Sequence, residues 1–134
     1  MKHFAKQKAA ARISAKSTRL LRENIFIKNH KQGDIIFMDF NPQSGYEQSG
    51  RRPAVVLSND ILNQHSSLAI VCPITNTNKK HPFHVELDER TQTTGVILCD
   101  QVKTLDLKAR NAQRKEECPE DIWMEARDII ISFL

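Results

Sequence analysis

The sequence predicts a mainly β chain with helices, of the α+β class. The expected form is a small, strongly bent β-sheet or barrel with a C-terminal helix and a basic, partly helical N-terminal extension. Three observations lead there. At least five short runs of branched and aromatic residues are separated by polar loops. No alternation of strands with helical patterns occurs, which argues against a parallel doubly wound sheet. Helical spacing of apolar residues dominates only near the end, at Ile122, Trp123, Ala126, Ile129, Ile130 and Phe133.

In chain order, residues 9–23 contain good helix formers and no Gly or Pro, with a thin apolar stripe of Ile13, Leu20 and Leu21. They predict a partly helical extension, residues 1–31, ahead of an organised domain over 32–134. Residues 34–40, DIIFMDF, suit a strand that Asn41 and Pro42 stop. A glycine-bearing loop, GYEQSGRRP, fills residues 45–53. Residues 54–58, AVVLS, form the continuous apolar run of a strand buried on both faces. A polar connection through Asn63, His65 and Ser66 leads to a further strand over residues 68–74. Residues 83–87 alternate apolar and polar, so His84 is expected on an exposed strand face. Residues 95–100 and 102–105 are expected to form a bent or bulged pair. Pro119 followed by acids then starts the terminal helix, with Trp123 read as core.

At 134 residues the chain can bury a real core. Its charge is unevenly placed: residues 1–31 hold nine Lys/Arg and one acid, a net +8, leaving −4 for the remainder. A basic arm of that kind attracts nucleic acid through counterion release. Other readings are attraction to an anionic membrane, a solvated tail, a helix packed on a dimer, or a contact for an acidic partner. No apolar run reaches the roughly 18 residues of a membrane span. The odd cysteine count (Cys72, Cys99, Cys118), without CxxC or His-ligand spacing, speaks against a disulfide framework or structural zinc. A reducing cytoplasm is the simplest location.

The loop at 45–53 carries the chemistry. Gly45 and Gly50 allow close backbone approach, Arg51 and Arg52 offer planar donor forks for phosphate, and Glu47 can orient a guanidinium or take a proton. A purely structural Glu–Arg pair closing a hairpin is the competing reading.

Taken together, GDII (33–36), DFNP (39–42), the GYEQSGRRP loop, VVLSN (55–59), PIT (73–75) and GVILCDQVKT (95–104) resemble the MazF/PemK family of toxin endoribonucleases, from about Gly33 to Leu134. The resemblance implies an SH3-like β-barrel with helices and a homodimer. It also implies metal-independent, sequence-specific cleavage of single-stranded RNA, no cofactor, and neutralisation by a cognate MazE-like antitoxin. It assigns catalysis to Arg52, the arginine before proline, to Thr75, ending the Pro-Ile-Thr strand, and to Glu47. Gln48, Arg51, His65, Asn76, Asn78, Lys79, Gln101 and Lys103 are the expected RNA contacts. The amides suit base edges, and the cations and His65 suit phosphate. Gln101 has a rival role in tying down a strand end. A non-catalytic toxin on the same barrel, binding a protein such as a topoisomerase, is the alternative function.

Overall fold

Residues 34–40 contain almost no residue that prefers a helix, and their side chains find apolar cover on both sides. In a computed structural model that describes residues 30–41, 45–77 and 81–134, they form strand β1 (Asp34–Asp39). Ile35 points to one face and Ile36 and Met38 to the other, all fully buried. The predicted helix at 9–23, with Asn78 and Lys79, lies outside the described residues.

Strand β2 (Arg51–Val56) pairs antiparallel with β1, and β3 (Leu68–Thr75) pairs with the other side of β2. The free edge of β3 is then shared. Its first half takes β6 (Lys103–Asp106) and its last two residues take β5 (Val96–Leu98). Strand β4 (His84–Glu86) pairs with β5, and β7 (Gln113–Glu117) with the outer edge of β1. The result is a seven-stranded antiparallel sheet in the order β4-β5-β3-β2-β1-β7, with β6 branching from β3.

The sheet is not closed by strand pairing among the described residues. Instead, residues 107–112 bridge its seam. The Leu107 amide donates to Ser67 O at 2.9 Å, and the Asp39 amide donates to Arg110 O at 3.1 Å. The expected barrel is therefore a bent sheet with a loop-bridged seam. The expected pairing of 95–100 with 102–105 is corrected as well: β5 and β6 both pair with β3, and a 3-10 turn (Cys99–Gln101) carries the chain between them.

Two apolar clusters occupy the two faces. One holds Ile35, Val55, Cys72, Ile74, Ile97 and Ile122, and is covered by helix α2 (Glu120–Ser132). The other holds Ile36, Met38, Phe40, Ala54, Val56, Ala69, Val71 and Leu107. Each fully buried aliphatic side chain contributes about 1.5–3 kcal/mol of transfer free energy. All three cysteines are free and buried in the helix-side cluster. Burial pushes the Cys99 and Cys118 thiols up to about 12, and Cys72 higher still, so they remain protonated packing groups.

Two local expectations change. The connection after β2 is not all loop: Asn59 caps a short helix, α1 (Asp60–His65), by accepting the Ile61 amide at 3.0 Å. His84 is not a surface histidine. Its side chain is only 16% exposed, faces Asp100 at 3.9 Å and lies against the His81 ring.

Candidate active site

Strand geometry brings Arg52 and Thr75 together. The β2–β3 register pairs Val56 with Val71, Val55 with Cys72 and Ala54 with Pro73. The pairing ends there, two residues short of Arg52 on β2 and of Thr75 on β3, so both stand at the same end of the pair. Alternation decides the face: Ala54, Val56 and Val71 belong to the cluster away from α2, so Arg52 and Thr75 share that face at its open end. Lys103, opposite Val71 on β6, joins them there.

The 45–50 loop folds over this end. Gln101, in the 3-10 turn, accepts the Gln48 amide at 2.9 Å and donates to Tyr46 O at 3.4 Å. The Lys103 ammonium meets the Glu47 carboxylate. The Arg52 Nε donates to Ser49 O at 2.9 Å, and its Nη1 donates to Gln48 Oε1. These bonds use two of five guanidinium donors and leave Nη2 without a protein acceptor among the described residues. On the far side, Thr75 Oγ1 accepts the Thr77 amide at 3.2 Å, so its hydroxyl proton is available to a ligand oxygen. Gly50 (φ +75) makes the turn that returns the loop into β2, and its amide donates to Asn41 Oδ1 at 3.0 Å.

The predicted residues divide clearly. Arg52, Thr75, Glu47, Gln48, Gln101 and Lys103 converge on one end of one face. Gln101 ties down the 45–50 loop, where its rival reading expected it to tie a strand end. Asn76 is exposed beside Thr75, with its Oδ1 accepting from Thr94 Oγ1 at 2.8 Å. Arg51 is not brought to the group. It projects to the opposite face, where it pairs with Asp39 at 3.4 Å, donates to Asn111 O at 2.8 Å and lies over the Phe37 ring. His65 is not brought there either. It ends α1, just before β3 begins, and Thr75 closes the far end of that eight-residue strand, about 23 Å along it at strand rise.

Two residues absent from the sequence expectation belong to the site. Tyr46 is 99% exposed next to Glu47, an aromatic surface on which an unpaired base can stack. Its signal was an aromatic flanked by a loop glycine. Gly95 (φ +120) lies so close to Thr75 that a Cβ there would stand 2.3 Å from the Thr75 carbonyl oxygen. No sequence pattern reports that contact.

A family model described as "PemK-like, MazF-like toxin of type II toxin-antitoxin system" matches residues 31–134. This chain belongs to the PemK/MazF toxin family. It is 42% identical over 93 residues to the endoribonuclease toxin MazF of Escherichia coli K12, covering 69% of this chain and 83% of that protein. The crystal structure of MazF from Deinococcus radiodurans superposes with a TM-score of 0.76 at 36% identity, covering 80% of this chain and 97% of that one. A MazE–MazF complex from the same organism gives 0.69 at 32% identity, covering 80% and 96%. The PemK/MazF match begins where the described domain begins, so the clustered residues all lie inside it. Among the described residues no helix is long and apolar enough to cross a membrane, and no group of three His, Cys, Asp or Glu is arranged to hold a metal ion.

Proposed function

We propose that this chain is an endoribonuclease toxin that cuts single-stranded RNA at a preferred sequence, without a metal, and is held inactive by a cognate MazE-like antitoxin. The observation that carries this reading is the β2–β3 pairing that leaves Arg52 and Thr75 at the same end of one face, beside a loop bearing Glu47. Relatives that match most of their own length are named endoribonucleases, and a structural relative was solved with MazE. Nothing among them supports a non-catalytic toxin.

In metal-free cleavage the ribose 2′-hydroxyl attacks the adjacent phosphorus, the 5′-oxygen of the next nucleotide leaves, and a 2′,3′-cyclic phosphate remains. The substrate supplies its own nucleophile. The protein must align the groups, move two protons and stabilise the charged phosphorane. Arg52 meets the phosphorane's equatorial oxygens, with Nη2 available and Nη1 freed when Gln48 yields. The amide oxygen of Gln48 thus marks the place of a phosphate oxygen. Thr75 donates its hydroxyl to a second oxygen. Glu47, held by Lys103, accepts the 2′-hydroxyl proton, and its conjugate acid returns a proton to the leaving oxygen. Tyr46 stacks a flanking base, while Asn76 presents its amide to a base edge.

The reading also includes a homodimer, a cytoplasmic location, which the three free cysteines suit, and a domain at 32–134 with residues 1–31 as an appendage. Incubating the purified protein with a long unstructured RNA in EDTA and sequencing the new ends tests the activity. Cleavage at one recurring motif with cyclic phosphate ends is expected. Intact RNA under those conditions overturns it.

A further inference from the structure

Asn76 follows Thr75 at the open end of β3, and its side-chain amide is engaged at the oxygen alone. Asn76 Oδ1 accepts the Thr94 hydroxyl at 2.8 Å, while Nδ2 has no acceptor among the described residues. The Thr94 hydroxyl has no other acceptor among them either, so its proton goes to the amide oxygen. The NH2 group of the exposed Asn76 is left to solvent.

The fold holds both partners in place. Thr93, one neighbour of Thr94, has its amide and hydroxyl on the Glu116 carboxylate at 2.8 and 2.7 Å, and its carbonyl accepts the Thr91 hydroxyl at 2.7 Å. Gly95, the other neighbour, lies so close to β3 that a Cβ there would stand 3.2 Å from the Asn76 nitrogen. Asn76 itself is spanned by the Thr77 amide donating to Thr75 Oγ1 at 3.2 Å.

Resting on the endoribonuclease reading, we propose that the Thr94–Asn76 pair selects a base adjoining the cut bond, taking uracil or guanine in preference to adenine or cytosine. Thr75 gives its hydroxyl to the reacting phosphate, and the Asn76 Cα is only about 3.8 Å further along the chain. The base that Asn76 meets therefore belongs to a nucleotide flanking that phosphate. The chemistry of the exposed group sets the choice. A free asparagine amide offers a donor and an acceptor side by side and matches adenine, whose N6 amino group and N7 need one of each. Here the acceptor is spent on Thr94. A pair of donors remains, which suits O4 of uracil or O6 and N7 of guanine. Adenine and cytosine carry an amino group at that exocyclic position, so donor would face donor and both would be unpaired. Thr94 is a positioning residue: it acts through the orientation that it gives Asn76.

The test maps the cleavage sites of the full-length protein in a randomised single-stranded RNA, for the parent and for Asn76→Asp, Thr94→Val and Thr94→Ser. Melting curves confirm an intact domain in each. At one position flanking the cut, uracil and guanine together should exceed adenine and cytosine by about fivefold or more for the parent. Asn76→Asp presents acceptors alone and should reverse that ratio, whatever it does to the overall rate. Thr94→Val frees the Asn76 oxygen, lets the amide turn, and should bring adenine back towards parity, whereas Thr94→Ser should keep the parent's preference. A parent preference for adenine or cytosine at the position that Asn76→Asp alters overturns the proposal, as do ratios that no substitution moves. A Thr94→Val protein that keeps the parent's preference also overturns it, by removing Thr94 from base selection. If the parent leaves the RNA intact, it is the endoribonuclease reading that fails. The same four proteins are then compared by sequencing what each retains from a 2′-fluoro RNA pool, which lacks the attacking hydroxyl. There the same reversal supports the selection and its absence overturns it.

Discussion

Arg52 is half-buried at the mouth of the site, where among the described residues its guanidinium bonds only to the loop that it closes. In the proposed mechanism, removing it takes away phosphorane stabilisation but almost no packing. Arg52→Ala should therefore lower the single-turnover rate by 10²-fold or more, roughly 3 kcal/mol, with an unchanged melting temperature. An unaltered rate in a folded variant would remove Arg52 from the mechanism. Thr75→Ala deletes one hydrogen bond to the same oxygens and should cost less, on the order of tenfold. Lys103→Met should leave Glu47 without its cationic tether. Its effect is expected in the rate at saturating RNA rather than in RNA affinity, measured by comparing the two.

At the scale of elements, β3 delivers Thr75 only because β5 approaches it without a side chain at Gly95. Gly95→Ala combines a φ of +120 with a Cβ 2.3 Å from the Thr75 carbonyl. It should destabilise the domain by about 1–3 kcal/mol and lower activity beyond that loss by moving the end of β3. Melting curves and rates measured below the transition separate the two effects. A second element contact depends on pH. Glu116 on β7 accepts the amides of Gln92 and Thr93, at 3.0 and 2.8 Å, and the Thr93 hydroxyl at 2.7 Å. Partial burial works to raise its pKa, but these donors outweigh it and hold the carboxyl below its ordinary 4.5. A depressed folded value means that the stabilisation is present above pH 4.5 and is lost as pH falls through the folded value. Glu116→Gln should therefore flatten the acid limb of the stability curve, followed as melting temperature against pH. A variant that tracks the parent into acid would dissociate this latch from acid stability.

For the whole molecule, the site closes across segments far apart in sequence. Glu47 meets Lys103, Gln48 meets Gln101, and Arg52 and Thr75 stand at the same end of the β2–β3 pair. No set of carboxylate, imidazole or thiolate ligands among the described residues is arranged for a metal. Cleavage should accordingly persist in EDTA at a rate within about twofold of that in magnesium, checked on one RNA in both buffers. A chelated enzyme that is dead until magnesium or manganese is restored would overturn the mechanism.

Much of this was legible in the chain. Apolar runs marked β1, β3 and the helical α2, since burial on one or two faces leaves a period in the residues themselves. The Gly-rich loop and the ordered motifs marked Arg52, Thr75 and Glu47 as the residues to examine. Strand β7, with the sequence QRKEE, left no such mark, because an edge strand needs only backbone partners and keeps its charges in water. Nor did sequence separate Arg51 from Arg52. Neighbours on a strand face opposite ways, and only the register with β1 and β3 tells which one turns to the site. The sequence by itself determined the apolar strands, the packing helix, the unequal charge and the residue types of the site. Tertiary structure decided which of those residues meet, because register, the shared edge of β3 and the loop-bridged seam are long-range contacts with no local pattern to announce them.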